Sequence, residues 1–181
     1  MTGNNLFVIT GGPGVGKTSL INALESKGFQ VVPEAARKII KEQLRIKGEC
    51  LPWKNKAHYA ELMLDLSMRD YRNIAGEPIS EAIFFDRGIL DTVCYMTMEA
   101  IPIPEALSNI LKTFRYNNKV FILPPWREIY ETDNERRQTW SEAIFTFGKM
   151  KQTYQDYGYE VIEVPKGNIE QRCKFVEHEI Q

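Results

Sequence analysis

Short apolar runs alternate with longer polar and apolar segments along the whole chain. Runs typical of buried strands occur at residues 6–10, 29–32, 81–85, 119–123 and 159–164. Between them, apolar residues recur at three- and four-residue spacing, which predicts helices. Because strands and helices alternate, we expect an α/β fold of three layers, in which a five-stranded parallel sheet is flanked by helices and joined by right-handed crossovers.

Turn and capping residues indicate where the predicted helices begin and end. Gly28 and Gly158 are expected to end the first and sixth helices, and Pro33 to open the second. Asn168 is expected to cap the last helix, with Gln171 as its partner in a capping box. The other predicted helices cover about residues 57–75 and 90–99, a segment that ends near 114, and one that contains 140–154.

Composition and charge narrow the class of protein. With 181 residues, the chain is long enough for one domain with a sizeable core, which we expect to span 1–181. The net charge of −1 does not favour binding to nucleic acid or to an anionic membrane. No apolar run approaches membrane-spanning length, and no signal peptide is recognisable. Three widely spaced cysteines, Cys50, Cys94 and Cys173, indicate reduced thiols, so we expect a cytoplasmic protein.

A phosphate-binding motif follows the first predicted strand. Residues 11–18 fit Gly-x-x-x-x-Gly-Lys-(Ser/Thr), the P-loop. Its backbone N–H groups and the N-terminus of the next helix are expected to surround nucleotide phosphates. Lys17 is expected to reach the β- and γ-phosphates, and the Thr18 hydroxyl to bind Mg²⁺. The alternative is a glycine-rich turn, which the preceding strand and following helix disfavour. The expected nucleotide-binding residues of this segment are Gly11, Gly12, Pro13, Gly14, Val15, Gly16, Lys17, Thr18 and Ser19.

The third predicted strand ends in an acidic and a basic residue. A carboxylate at the position of Asp86 can hold Mg²⁺, as the second acidic element of P-loop proteins does; the alternative is a cap of the next helix. Arg87 follows where many P-loop motors have a water-polarising glutamate. A guanidinium there suits an anionic or hydroxyl-bearing acceptor, although a surface ion pair is the alternative interpretation.

Further candidates lie at the end of the second strand. Glu34 is placed to accept the proton of an attacking hydroxyl, but a glutamate in the first turn of a helix is also favoured by the helix dipole. The next helix has a basic face that is expected to be solvated, and Arg37 is the residue of that face nearest to the strand end. We expect Arg37 to bind the acceptor together with Glu34 and Arg87.

The polar segment after the fourth strand contains two adjacent arginines. We expect residues 126–142 to form a lid in which Arg136 and Arg137 neutralise charge on the transferred phosphoryl group. The alternative is an ordinary solvated helix start. Pro165, with Lys166, follows the last strand and is expected to flank the nucleotide base.

These motifs resemble those of nucleoside and nucleotide kinases. Thymidylate and deoxynucleoside kinases have a similar Asp-Arg or Glu-Arg pair. Deoxynucleoside kinases also have a catalytic glutamate after strand two, which corresponds to Glu34. Over nearly the whole chain the sequence is similar to a predicted ATPase/kinase family labelled as an AAA-type domain. Nicotinamide riboside kinase domains are described as its relatives, and an animal branch as nucleotide- and phosphoinositide-binding regulators. The similar segments are residues 9–14, 32–37, 84–88 with Asp91 and Thr92, 123–126 and 133–137.

Two functions follow as hypotheses. The first is a kinase that uses ATP and Mg²⁺ to phosphorylate a small, nucleoside-like acceptor. The second is a regulatory nucleotide-binding protein that hydrolyses nucleotide slowly. A concave site shared by Glu34, Arg37 and Arg87 would favour the kinase, and apolar packing in the same place would favour the switch. The aromatic candidates for such a pocket are Trp53, Tyr59, Tyr95 and Trp126.

Overall fold

Five parallel strands form the central layer of the molecule. The computed structural model describes residues 5–129 and 139–181. The strands are β1 (Leu6–Gly11), β2 (Gln30–Val32), β3 (Ile83–Asp86), β4 (Lys119–Leu123) and β5 (Glu160–Glu163). Their order across the sheet is β2-β3-β1-β4-β5, with every neighbouring pair parallel. The predicted five-stranded parallel sheet is therefore confirmed.

The register brings the functional candidates to one edge of the sheet. β1 lies at the centre, and its Val8 is opposite Phe85 of β3 and Val120 of β4. The carboxyl ends of β1 and β3 therefore lie side by side, with the end of β2 next to them. In parallel sheets this edge is where ligands bind.

Seven helices cover the two faces of the sheet in the part of the chain that the structure describes. They are α1 (Lys17–Ser26), α2 (Ala35–Arg45), α3 (Lys56–Ala75), α4 (Ile89–Met98), α5 (Glu105–Thr113), α6 (Trp140–Asp156) and α7 (Ile169–Glu179). The expected capping box of α7 is present, since the Asn168 side chain accepts a hydrogen bond from the Gln171 N–H at 2.9 Å. Within residues 5–129 and 139–181, none of these helices has the length and apolar character needed to cross a bilayer.

One predicted boundary is wrong. Pro33 does not open the second helix, which begins at Ala35. Glu34 has an extended backbone, with φ −53° and ψ 123°, and lies before the first helical residue. Its carboxylate is held by Arg87 and Arg37, in the two-residue connection between β2 and the helix.

Two apolar clusters lie on opposite faces of the sheet, as expected for three layers. Successive strand residues alternate between them: Val8 belongs to the cluster covered by α3, α4, α5 and α6, and Ile9 to the one covered by α1 and α7. All three cysteines are free; Cys94 and Cys173 are buried and Cys50 is partly buried.

Candidate functional site

The loop between β1 and α1 contains two glycines with left-handed backbone geometry. Gly14 and Gly16 have φ values of 76° and 79°, in the left-handed region that glycine adopts without strain. Gly16 is the N-cap of α1, which begins at Lys17. The unpaired N–H groups of the first turn and the positive end of the helix dipole therefore lie at the loop, where an anion is favoured.

Lys17 lies against the end of the neighbouring strand. Its side chain is only 6% exposed, and its ammonium group donates a hydrogen bond to the Asp86 carboxylate. Burial and the nearby Arg87 charge hold the pKa of Lys17 below its ordinary value, although Asp86 and Glu34 act in the opposite direction. The structure thus brings together two residues that were predicted to serve the donor nucleotide and its metal ion.

Glu34 is held between two arginines. Arg87 Nε donates a hydrogen bond to Glu34 Oε1 at 2.8 Å, and Arg37 Nε donates one to Glu34 Oε2 at 3.0 Å. Burial would raise the pKa of Glu34, but Arg87, Lys17 and Arg37 outweigh it and hold that pKa below its ordinary value. Arg37 NH2 also lies 3.4 Å from the Thr18 hydroxyl oxygen. Glu34 is therefore an ionised carboxylate near neutral pH.

The turn after β3 directs two consecutive residues to different partners. Arg87 has a φ of 74°, which is uncommon for a residue with a side chain. Its backbone N–H donates to Ile9 O at 3.0 Å, which fixes the turn against β1. As a result, Asp86 contacts Lys17 while Arg87 contacts Glu34 and Asp91.

Asp91, named from the sequence only as part of the family resemblance and without a role, is the centre of a buried hydrogen-bond network. Its Oδ1 accepts bonds from the Thr10 hydroxyl and, at 3.1 Å, from Arg87 NH1. Its Oδ2 accepts bonds from the Gly88 N–H at 2.9 Å and from the Tyr154 hydroxyl at 2.6 Å. Burial, reinforced by Asp91, raises the pKa of Tyr154 well above its ordinary value, so this hydroxyl remains a donor.

A cavity of about 250 Å³ opens beside the Glu34–Arg87 pair. It lies beyond the carboxyl ends of β2 and β3, among α2, α3, α4 and α6. Its lining is mainly apolar and includes aromatic and charged side chains. The lining residues used below are Glu34, Ala36, Tyr59, Phe85, Asp86, Arg87, Asp91 and Tyr95.

Two of the four aromatic candidates line the cavity. Tyr59 and Tyr95 meet edge to face, with ring centroids 5.7 Å apart. Burial, followed by the Glu99 charge, raises the pKa of Tyr95 to about 12. The Tyr95 hydroxyl is buried and has no hydrogen-bond partner among the described residues. Trp53 and Trp126 are not among the lining residues, and Trp53 is exposed.

Other predicted site residues lie outside the described residues or at exposed positions. Arg136 and Arg137 lie outside the described residues, as does most of the segment 126–142; its described ends are the 3₁₀ turn Arg127–Ile129 and the start of α6. Ser19 is exposed in the first turn of α1. Pro165 is exposed after β5, where a role beside the nucleotide base stays a prediction.

Solved structures, among them those of two kinases, share this fold. Deoxyadenosine kinase from M. mycoides with bound dATP has a TM-score of 0.60 at 13% identity, over 98% of this chain and 99% of that chain. Thymidylate kinase from Candida albicans has a TM-score of 0.59 at 16% identity, over 98% and 91% of the two chains. A NadR protein in complex with NR has a TM-score of 0.73 at 14% identity, over 98% of this chain but 51% of that one.

Sequence comparison gives the family directly. A search of curated proteins finds no match. The family model described as an AAA domain matches residues 6–172, which is most of the chain. The chain therefore belongs to this AAA domain family and has the α/β P-loop fold of nucleoside and nucleotide kinases.

Proposed function

We propose that the protein is a kinase that transfers a phosphoryl group from ATP to a small hydroxyl- or phosphate-bearing acceptor. The observation that carries this proposal is the position of the Glu34–Arg87 pair. Both residues line the mainly apolar cavity together with Asp86, whose carboxylate accepts a hydrogen bond from Lys17 of the P-loop. The proposed acceptor site therefore adjoins the proposed donor site, as direct transfer requires.

In the proposed site, the P-loop side binds the donor nucleotide. The backbone N–H groups of residues 11–19 and the Lys17 ammonium group bind the phosphates, and Pro165 flanks the base. The Thr18 hydroxyl and the Asp86 carboxylate offer two oxygen ligands, which fits Mg²⁺ because this ion usually takes few protein ligands and completes its shell with phosphate oxygens and water. When bound, Mg²⁺ neutralises phosphate charge.

The cavity side of the proposed site binds and activates the acceptor. In the proposed reaction, the acceptor oxygen attacks the γ-phosphorus, the bond to the ADP oxygen breaks, and the hydroxyl proton passes to Glu34. The low pKa of Glu34 keeps it ionised, and proton transfer late in the reaction suits a loose phosphoryl-transfer transition state. Arg87 orients the acceptor, assisted by Arg37, and Arg136 and Arg137 are proposed to bind the transferred group.

A nucleoside-like acceptor suits the lining of the cavity. Tyr59, Tyr95 and Phe85 provide aromatic surface for a flat ring, and the Tyr95 hydroxyl lacks a protein partner among the described residues. Glu34 and Arg87 line this open space, whereas Arg37, the third residue expected there, is not among its lining residues. The open space supports a kinase over a regulatory switch, for which apolar packing at this place was the expectation. The similar proteins named with dATP and NR agree with this acceptor class.

The direct test measures ADP release from ATP and Mg²⁺, first alone and then with pools of nucleosides, nucleotides, nicotinamide riboside and small sugars. We expect one pool to stimulate ADP release and to yield a phosphorylated product detectable by mass spectrometry. The Lys17→Ala variant is the control for contaminating kinases. Tight ATP binding with slow turnover that no pool stimulates would count against the kinase and favour the regulatory alternative, with phosphoinositides tested next.

A further inference from the structure

Arg172 of α7 is almost completely buried beside the P-loop. Only 3% of the residue is exposed, an unusual burial for arginine. Its NH2 group donates a hydrogen bond to Val15 O at 3.1 Å, across 157 positions of sequence. The contact joins the C-terminal helix to the loop that is proposed to bind the donor phosphates.

The positive charge of Arg172 has no carboxylate partner among the described residues. Its Nε is buried and also lacks a hydrogen-bond partner there. By contrast, Lys17 is paired with Asp86, and Arg87 with Glu34. Burial lowers the pKa of Arg172, as expected for a cation that is shielded from water without a counter-charge. An unpaired buried charge is unfavourable for folding unless another group offsets it.

The guanidinium group of Arg172 lies behind the peptide units of the P-loop. It lies against Gly16, where a Cβ atom would approach Arg172 NH1 to 2.7 Å. It also holds the carbonyl oxygen of the peptide unit whose N–H belongs to Gly16. A charged donor on that carbonyl polarises the peptide and strengthens its N–H as a donor, at the N-terminus of α1 where anions are favoured.

We infer that Arg172 is a positioning residue for the donor nucleotide, acting from behind the P-loop through the Val15–Gly16 peptide. Its charge is offset by the nucleotide polyphosphate when that binds, and a contact with the base or ribose is not needed. The inference rests on the proposed nucleotide binding. It predicts that Arg172 contributes more to polyphosphate affinity than to the stability of the free protein.

The test compares Arg172→Met and Arg172→Lys in the full chain, with Lys174→Met as the matched control. Lys174 is an exposed cation of the same helix, paired with Glu170. Affinities for Mg-ATP and inorganic tripolyphosphate are measured by calorimetry, and unfolding midpoints in urea without ligand. For Arg172→Met we expect about a tenfold to hundredfold loss of affinity for both ligands and no loss of unliganded stability. Arg172→Lys should retain more affinity, and Lys174→Met should match the wild type.

Three results would overturn the inference, and they differ from a failure of the proposed function. The first is an ATP affinity in Arg172→Met equal to that of the wild type. The second is a loss of affinity for ATP but not for tripolyphosphate, because that would indicate a contact with the nucleoside. An unliganded Arg172→Met protein that is destabilised or unfolded would show a structural role, and Arg172→Lys would then supply the affinities. No binding of ATP by the wild-type protein would instead contradict the proposed function and remove the basis of the inference.

Discussion

Arg87 Nε and Glu34 Oε1 are 2.8 Å apart, so a single charge-assisted hydrogen bond joins the ends of β3 and β2. The pair belongs to a row of alternating charges in which Arg37 lies on one side of Glu34 and Asp91 beyond Arg87. Each charged group holds the next in place, so neutralising one of them changes the orientation of its neighbours.

Glu34→Gln should lower kcat with the acceptor by about 10²–10⁴-fold, because the amide keeps the shape of the side chain but cannot take up the proton. Steady-state kinetics with the identified acceptor measure the effect. Glu42→Gln, which changes an exposed glutamate of α2, the helix that follows Glu34, is the control and should behave as the wild type. An unchanged kcat in Glu34→Gln would exclude Glu34 as the base.

Arg87→Lys should lower kcat/KM for the acceptor by about tenfold to a hundredfold and leave the KM for ATP nearly unchanged. The reason is geometric: Arg87 bonds Glu34 through Nε and Asp91 through NH1, and a single ammonium group cannot reproduce that fork. Varying each substrate in turn separates the two KM values. An equal rise in both would assign Arg87 to the donor site instead.

Lys17→Ala should reduce turnover by about 10²–10³-fold while the protein stays folded, since it removes a positive charge from the donor phosphates. Turnover and the far-ultraviolet circular dichroism spectrum are measured on the same preparation. Near-normal turnover in a folded variant would contradict the assignment of residues 11–18 as the donor site.

Acid should reduce the stability that Glu34 contributes. Its folded pKa lies below the ordinary value of about 4.3, so the contribution is complete above that pH and is lost as pH falls through the folded pKa. Urea unfolding of the wild type and Glu34→Gln from pH 7 to pH 3 measures this. The difference in unfolding free energy should be constant down to about pH 5 and shrink below about pH 4. A difference that instead grows as the pH falls from 7 would place the folded pKa above the ordinary value.

Tyr154→Phe should lower the free energy of unfolding by about 1.5–3 kcal/mol, because it removes a buried hydroxyl donor from the Asp91 carboxylate. Tyr157→Phe, in the less buried residue that follows α6, is the control. Denaturant titration of both variants measures the difference. Equal stabilities of the two variants would mean that the Asp91 network adds little to the fold.

Local patterns were sufficient to place the glycine-rich loop between β1 and α1 and the candidate residues at the ends of β2 and β3, whereas the roles of these residues stay predictions. Strand, turn and helix signals each occupy a few neighbouring positions there, and parallel strands bring Glu34, Asp86 and Arg87 to one edge. The start of α2 was misplaced, because Pro33 suits the first turn of a helix but Glu34 is held in an extended conformation.

Asp91 and Arg172 could not be assigned roles from local patterns, because their partners are distant in sequence. Asp91 contacts Thr10, 81 positions away, and Tyr154, 63 positions away. Arg172 is a polar residue in an amphipathic helix, and sequence periodicity does not show that it packs under Val15. A buried charge of this kind becomes visible only when the layers are assembled.

The lining of the cavity has a consequence for how this fold can diversify. Its walls come from α2, α3, α4, α6 and adjoining residues, whereas α1 and α7 are absent from it among the described residues. Asp86 is shared, since it lines the cavity and pairs with Lys17, but the loop of residues 11–16 and the helices α1 and α7 are separate in sequence from the cavity walls. Under the proposed function, a substitution such as Ala36→Leu in the cavity wall would alter acceptor preference without touching the phosphate loop. Selection would then act on the choice of acceptor independently of the choice of phosphate donor.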